Sequence, residues 1–344
     1  MSVRSAAIAV LTLVAMIGVI CLLLVSGGYP VGLSLSSLWS GSVGSWYSFT
    51  SATLVRAVPL MLAGGAVAIA FRAGVLNIGA EGQLLAGATA SASVALALPS
   101  LGPVTLVLAL VAAAVGGAAW AGIAAALRRH FGVLEVISTI MLNFVALDAV
   151  GYFVRGPLQE PTRSYPQSAT IAPSAYLPHV PGAGRLHAGI FIALALLALG
   201  GWMMRHSAPG FRLRAVGESP SAAASAGRID VARVAMRAFL LSGALAGLAG
   251  GCEVLGVTYA LYENISPGYG FTAIAVALLA GLDLWWVIPS ALLFAALESG
   301  AGAMQRDAGV PSTIVTIIDA LLILAAVAWQ ARRVAAARVA LVMA

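Results

Sequence analysis

The chain reads as apolar runs of about twenty residues broken by short polar punctuation. An apolar helix needs about 20 residues to cross the ~30 Å hydrocarbon layer. Runs of that length fall at about 5–26, 52–71, 75–98, 104–127, 134–154, 186–204, 234–257 and 311–330. Residues 271–304 are also apolar, but Leu282-Asp283 interrupts them. This predicts a short piece, 271–281, and a span, 285–304. The short piece cannot cross alone and is tolerated only where protein covers its backbone. Residues 27–50, rich in Gly, Ser and aromatic side chains, read as an outer loop. The first run is too long for a signal segment and lacks a cleavage site, so it is expected to be retained.

The pattern predicts an all-α, polytopic membrane bundle of about eight to ten segments, with residues 1–344 as one transmembrane domain. Composition agrees. Apolar residues make up 61% of the chain and charged residues 9%, against about 45–50% and about 25% in soluble domains. There is too little charge to solvate a surface. This argues against a soluble enzyme, a disordered hub or a nucleic-acid binder, despite the net charge of +6.

Counting the short piece, ten segments place both termini on one side. Of the 18 basic residues, all Arg, four fall on the opposite side: Arg155, Arg163, Arg185 and Arg306. Arg56 lies within a span, and the remaining thirteen share the side of the termini. Basic residues concentrate on the cytoplasmic side of membrane proteins, so both termini are expected there.

Two loops exceed a simple turn. The external loop, 155–185, holds six prolines and the aromatic rings of Tyr165 and Tyr176. It is either a plain connection or a docking surface for an external partner. The cytoplasmic loop, 205–233, is patterned. Ser219 is a suitable N-cap, Pro220 fits the first helical position and Gly227 is a candidate C-cap. A two-turn helix over 220–226, with Ala222 and Ala223 inside it, is predicted. So short a helix is unstable alone in water. It is therefore an interfacial linker or a knob that docks into a cytoplasmic partner.

Several features within the spans bear on chemistry. Gly243, Gly247 and Gly251 share one helix face and point to close helix packing. Asn77, Gly79, Glu81, Gly82 and Gln83 form a polar cluster at a helix start, where a carboxylate is favoured by the dipole. Glu81 is there for structure or for solute contact. Asp148, Glu253, Glu298 and Asp319 are intramembrane acids, with Asn143 as a neutral neighbour. Such groups are costly in lipid and face a bundle interior or water. They either fix helix register or line a solute path, together with aromatic residues such as Phe144, Tyr152, Tyr259 and Phe271.

No nucleophile, acid–base pair or metal pattern emerges, so no enzyme, metal or cofactor is expected. Cys21 and Cys252 sit in apolar runs, and His130, His179, His187 and His206 have no ligand spacing. The absence of lysine removes Schiff-base chemistry and the ATP-gripping Walker A loop. If ATP drives this protein, another chain hydrolyses it.

The motifs together carry a resemblance. Residues 71–83, Phe-Arg-Ala-Gly-Val-Leu-Asn-Ile-Gly-Ala-Glu-Gly-Gln, resemble the signature of permease subunits of bacterial ATP-binding-cassette (ABC) importers for nucleosides and simple sugars, within the branched-chain amino acid type permeases. Residues 135–143 with 154–157, 238–250, 266–279 and 303–311 fit the same branch, so the resemblance runs over about 52–330. It implies a multi-pass protein of the bacterial plasma (inner) membrane. The implied partners are a second, paralogous permease, a cytoplasmic ATPase and an extracytoplasmic solute-binding protein. The family's coupling loop resembles Gly217 to Asp230, with two departures: Arg228 intervenes between Gly227 and Ile229, and Ser219-Pro220 stands where Asn-Pro is usual. Residues 281–286, Gly-Leu-Asp-Leu-Trp-Trp, also depart from the family's common pattern of Gly, a polar or basic residue, then Pro. A nucleoside or simple sugar is the implied solute. Branched-chain amino acids, a gradient-driven secondary transporter, and a membrane-embedded enzyme or scaffold are the alternatives.

Overall fold

The computed structural model describes residues 18, 20–225, 227–311, 313, 314, 316, 317, 320, 321 and 324. The first and last predicted spans, with Asp319, lie largely or wholly outside them. The described residues are helical with no strands; only isolated bridges occur. The chain divides into two compact units, residues 55–291 and the described parts of 1–54 with 292–344.

The larger unit contains α2 (Val55–Arg72), α3 (Ala80–Ala97), α4 (Pro103–Phe131), α5 (Glu135–Arg155), α6 (Gly189–His206), α7 (Ala208–Glu218), α8 (Pro220–Ser225), α9 (Val231–Glu253) and α10 (Tyr269–Leu279). α9 packs on α4, α3 and α2, and α3 also packs on α4 and α5. α2 is apolar all round and buried along nearly its whole length, as a core helix must be. Small residues allow the central contacts. A Cβ added at Gly250 of α9 would overlap the Leu84 carbonyl oxygen of α3, and one at Gly247 would overlap that of Ala113 in α4.

The short apolar piece is a half-length helix, α10, of 11 residues. Its neighbours cover it: Ser290 Oγ donates to the Val276 carbonyl oxygen at 2.8 Å, and Gly64 of α2 leaves room for the Val276 side chain. Gly281 and Leu282 then turn the chain with φ of 62° and 59° into α11 (Leu284–Ala308).

In the smaller unit the predicted outer loop is corrected. Residues 27–50 contain a helix, α1 (Val31–Ser42), and a π-helical turn, Phe49–Leu54, that runs into α2. The serines disguised it. Ser34 Oγ returns a hydrogen bond to the Pro30 carbonyl and Ser42 Oγ to that of Leu38. Each hydroxyl is satisfied within its own helix, so the serine face is buried. Gly300 of α11 packs against the Leu38 carbonyl oxygen.

Two further corrections concern the 205–233 loop. The predicted short helix is not isolated: α7 precedes it, capped by Ser207 Oγ accepting from Gly210 N at 3.1 Å. The residue that reverses the chain after α8 is Arg228, with φ of 48°, rather than Gly227. The Ile229 N–H then returns to the Ala223 carbonyl at 3.1 Å and ends the helix.

Candidate functional site

The polar cluster at the start of α3 is a knot that joins four helices. Asn77 lies in the irregular stretch before α3. Its Nδ2 donates to Gln83 Oε1 and to Ser242 Oγ of α9, both at 2.9 Å. Its Oδ1 accepts from Gly79 N and Gln83 Nε2, also at 2.9 Å. Asn143 of α5 accepts from Gly82 N at 2.8 Å and donates to the Ile78 carbonyl at 3.0 Å. Glu81 accepts from Gly270 N of α10 at 2.6 Å.

Every polar side chain of the motif is thereby committed to the bundle's own groups. Sequence spacing could not reveal Ser242 and Gly270 as partners, because they lie far along the chain. Asn77→Ala is expected to orphan Gln83 and Ser242. Each buried polar group left unpaired costs about 1–3 kcal/mol. A lowered thermal midpoint in detergent checks this; an unchanged one contradicts the knot.

The predicted path residues are not all brought together. Asn143 is buried in the knot, but Phe144 and Asp148 point outward from α5. So do Ile137, Met141 and Tyr152, giving one exposed helix face with an acid near its middle. The exposed faces of α4 and α6 differ. They show Val104, Val107, Val111 and Val115, and Phe191, Leu199 and Trp202, respectively. Intramembrane acids are rare and costly against lipid, and α5 carries one on this exposed face. Arg155, at the end of this helix, pairs with Glu263 at 2.7 Å. That ion pair brings the loop before α10 beside α5, and Phe271 at the start of α10 is also exposed.

Glu253 lies elsewhere, buried at the end of α9, where the charges of Arg56 and Arg185 act on it. Tyr259 ends the following π turn with φ of 56°. Its ring packs on Tyr176, tilted by 30° with centroids 4.0 Å apart, and its hydroxyl donates to Gly256 O and lies 3.2 Å from His179 Nε2. Tyr259 sits under the 155–185 loop, which follows residues 255–261 through Leu177 N to Leu255 O, Ile171 N to Tyr259 O and Ser168 N to Leu261 O. His187 is wedged between Gly189 and Gly256. Glu298 is half-buried in α11, within the smaller unit.

The coupling candidates form a separate surface at the Arg-rich end. Ser219 Oγ accepts from Ala222 N at 3.3 Å, and Pro220 opens α8. Ala222 and Ala224 are exposed, while Ala223 is buried beside a groove of about 650 Å³ that Phe211, Arg214 and Glu218 also line. At Gly217 a Cβ would overlap the Arg72 carbonyl oxygen, so α7 rests directly on the end of α2.

Residues 49–327 match the family described as the permease component of branched-chain amino acid transport systems. The chain belongs to this family. The permease is 40% identical over 307 residues to the guanosine ABC transporter permease protein NupP of Bacillus subtilis, covering 88% of this chain and 87% of that one. It is 42% identical over 281 residues to the glucose ABC transporter permease protein TsgB13 of Haloferax volcanii, covering 79% and 74%. It is 31% identical over 314 residues to the nucleoside ABC transporter permease protein NupB of Lactococcus lactis, covering 88% and 85%. No solved structure matches it. The permease is a multi-pass subunit of an ABC transporter and not an enzyme, and it works with ATPase and solute-binding partners.

Proposed function

We propose that the permease imports a nucleoside, and that the exposed face of α5 lines the path. The observation that carries this is the grouping of Asp148 with Phe144 and Tyr152 on one outward helix face; Phe271 is also exposed, on α10. A nucleoside offers a flat base to aromatic rings and ribose hydroxyls to a carboxylate. The N–H groups at the start of α10 are already used: Gly268 and Tyr269 donate to Ser266 Oγ and Gly270 to Glu81. Broken helices commonly bind anionic solute groups through such ends. Here that end holds the protein's own carboxylate, which favours a neutral solute over an amino acid. The relatives named for guanosine and nucleosides support the same class. A hexose is the second reading, favoured by the 42% identity to the glucose permease protein.

In this reading the protein sits in a bacterial plasma membrane with its Arg-rich end in the cytoplasm. A second, related permease faces α5 across the path, and α8 engages the ATPase. An extracytoplasmic binding protein delivers the solute.

The test is uptake of labelled guanosine or glucose by the complete importer in proteoliposomes. Stacking of a base on an aromatic ring contributes about 1–3 kcal/mol, so Phe144→Ala is expected to weaken guanosine uptake about 5- to 150-fold. Asp148→Asn, losing a charged hydrogen bond of about 1.5–3 kcal/mol, should weaken it by about tenfold or more. Normal uptake by both variants would remove α5 from the path. Uptake of glucose in preference to guanosine would favour the second reading.

A further inference from the structure

At the Arg-rich end, a cavity of about 160 Å³ lies between the ends of α2, α6 and α7 and the turn before α11. Three arginines are among its lining residues: Arg72, Arg205 and Arg214. One carboxylate, Asp283, faces them, and both of its oxygens are taken. Oδ2 pairs with Arg205 at 2.6 Å, and Oδ1 accepts from Trp285 N at 3.0 Å at the start of α11. Two positive charges therefore remain without a counter-charge from Asp283. The Nε of Arg214 is buried and has no hydrogen-bond partner. A buried donor left unpaired is costly, and here it borders the cavity. A water's share of liquid volume is about 30 Å³, so the cavity has room for a phosphodiester-sized group.

The surroundings indicate where that group comes from. Trp202, Trp285 and Trp286 are exposed beside the cavity residues, and the Trp285 indole lies against Gly201 in its wall. Exposed tryptophans mark the headgroup level of a bilayer. Basic pockets between spanning helices at that level suit phosphate headgroups. We propose that this cavity binds the phosphate of an anionic phospholipid, with Arg72 and Arg214 as its ligands and the tryptophans around the acyl–headgroup boundary. The site is independent of which solute the permease carries.

The experiment takes the full-length permease from vesicles of mixed phosphatidylglycerol and phosphatidylcholine and counts retained lipid by native mass spectrometry. The wild type is expected to retain one phosphatidylglycerol per chain in preference to phosphatidylcholine. Each basic group near a membrane surface changes anionic-lipid affinity about fivefold. R72Q/R214Q should therefore weaken retention about 25-fold, and R72K/R214K should keep most of it. Equal retention of the two lipids by the wild type would overturn the proposal without need of any variant. So would undiminished phosphatidylglycerol in R72Q/R214Q. Displacement of the lipid by inorganic phosphate at equal concentration would make this a free-phosphate site and overturn the lipid assignment. Loss of ATPase co-purification in R72Q/R214Q with lipid retention unchanged would assign the arginines to a protein contact instead.

Discussion

Gly250→Val is expected to abolish the folded permease. The position lies where α9 crosses α3, and an added Cβ would overlap the Leu84 carbonyl oxygen and approach Ala88 N at 2.9 Å. Both are backbone atoms of a helix packed on several sides, so no side chain can swing away. Overpacking costs about 1–3 kcal/mol where neighbours can yield; here the helices must separate, and the cost should exceed that range. Separation would also pull Ser242 of α9 away from Asn77 and open the knot. Gly122→Ala is the control. Its Cβ would meet only Leu240 Cδ2, at 3.4 Å, an ordinary contact. Size-exclusion profiles and thermal midpoints in detergent compare the two. A wild-type midpoint for Gly250→Val would contradict the α3–α9 contact.

Ala224→Trp is expected to leave the membrane bundle intact and to uncouple it from the ATPase. Ala224 is exposed on α8, so an added indole meets no atom of the permease's own core. It would meet the partner surface instead. A misfit there costs about 1–3 kcal/mol, or about 5- to 150-fold in assembly. Ala223 does not serve this test, because it faces the α7–α8 groove. Through Gly217, α7 rests on the Arg72 carbonyl at the end of α2, giving a displaced α8 a route into the bundle. The expected result is normal insertion and thermal midpoint, with loss of ATPase co-purification and uptake. Wild-type co-purification would make α8 a linker.

Long-range packing decides how much of this could be read in advance. The bounds of α5 differ by one residue at each end from the predicted 134–154, because its apolar run has sharp polar ends. The half-length helix, predicted over 271–281 and observed as Tyr269–Leu279, was legible from Leu282-Asp283 in the same way, and so was Ser219-Pro220 opening α8. Helix α1 was hidden because its serines satisfy themselves, which hydropathy counts as polarity. Helix α7 was hidden among charged residues, although Ser207 before Pro209 is a start signal. The sequence grouped Asn143 with Asp148, but five residues at about 100° each place them about 140° apart around the helix. One therefore meets the α3 start and the other faces outward. The glycine repeat at 243, 247 and 251 located the packed face of α9. It did not single out Gly250, which depends on where α3 crosses.

The central claim is that this chain is a passive conduit for a nucleoside, driven by a separate ATPase. Its most direct test compares two proteoliposome preparations loaded with labelled guanosine outside. One holds the permease with its second permease, ATPase and binding protein; the other holds the permease alone with an imposed proton or sodium gradient. Accumulation is expected in the first only, and only with ATP. Accumulation by the permease alone, driven by the gradient, would contradict the account.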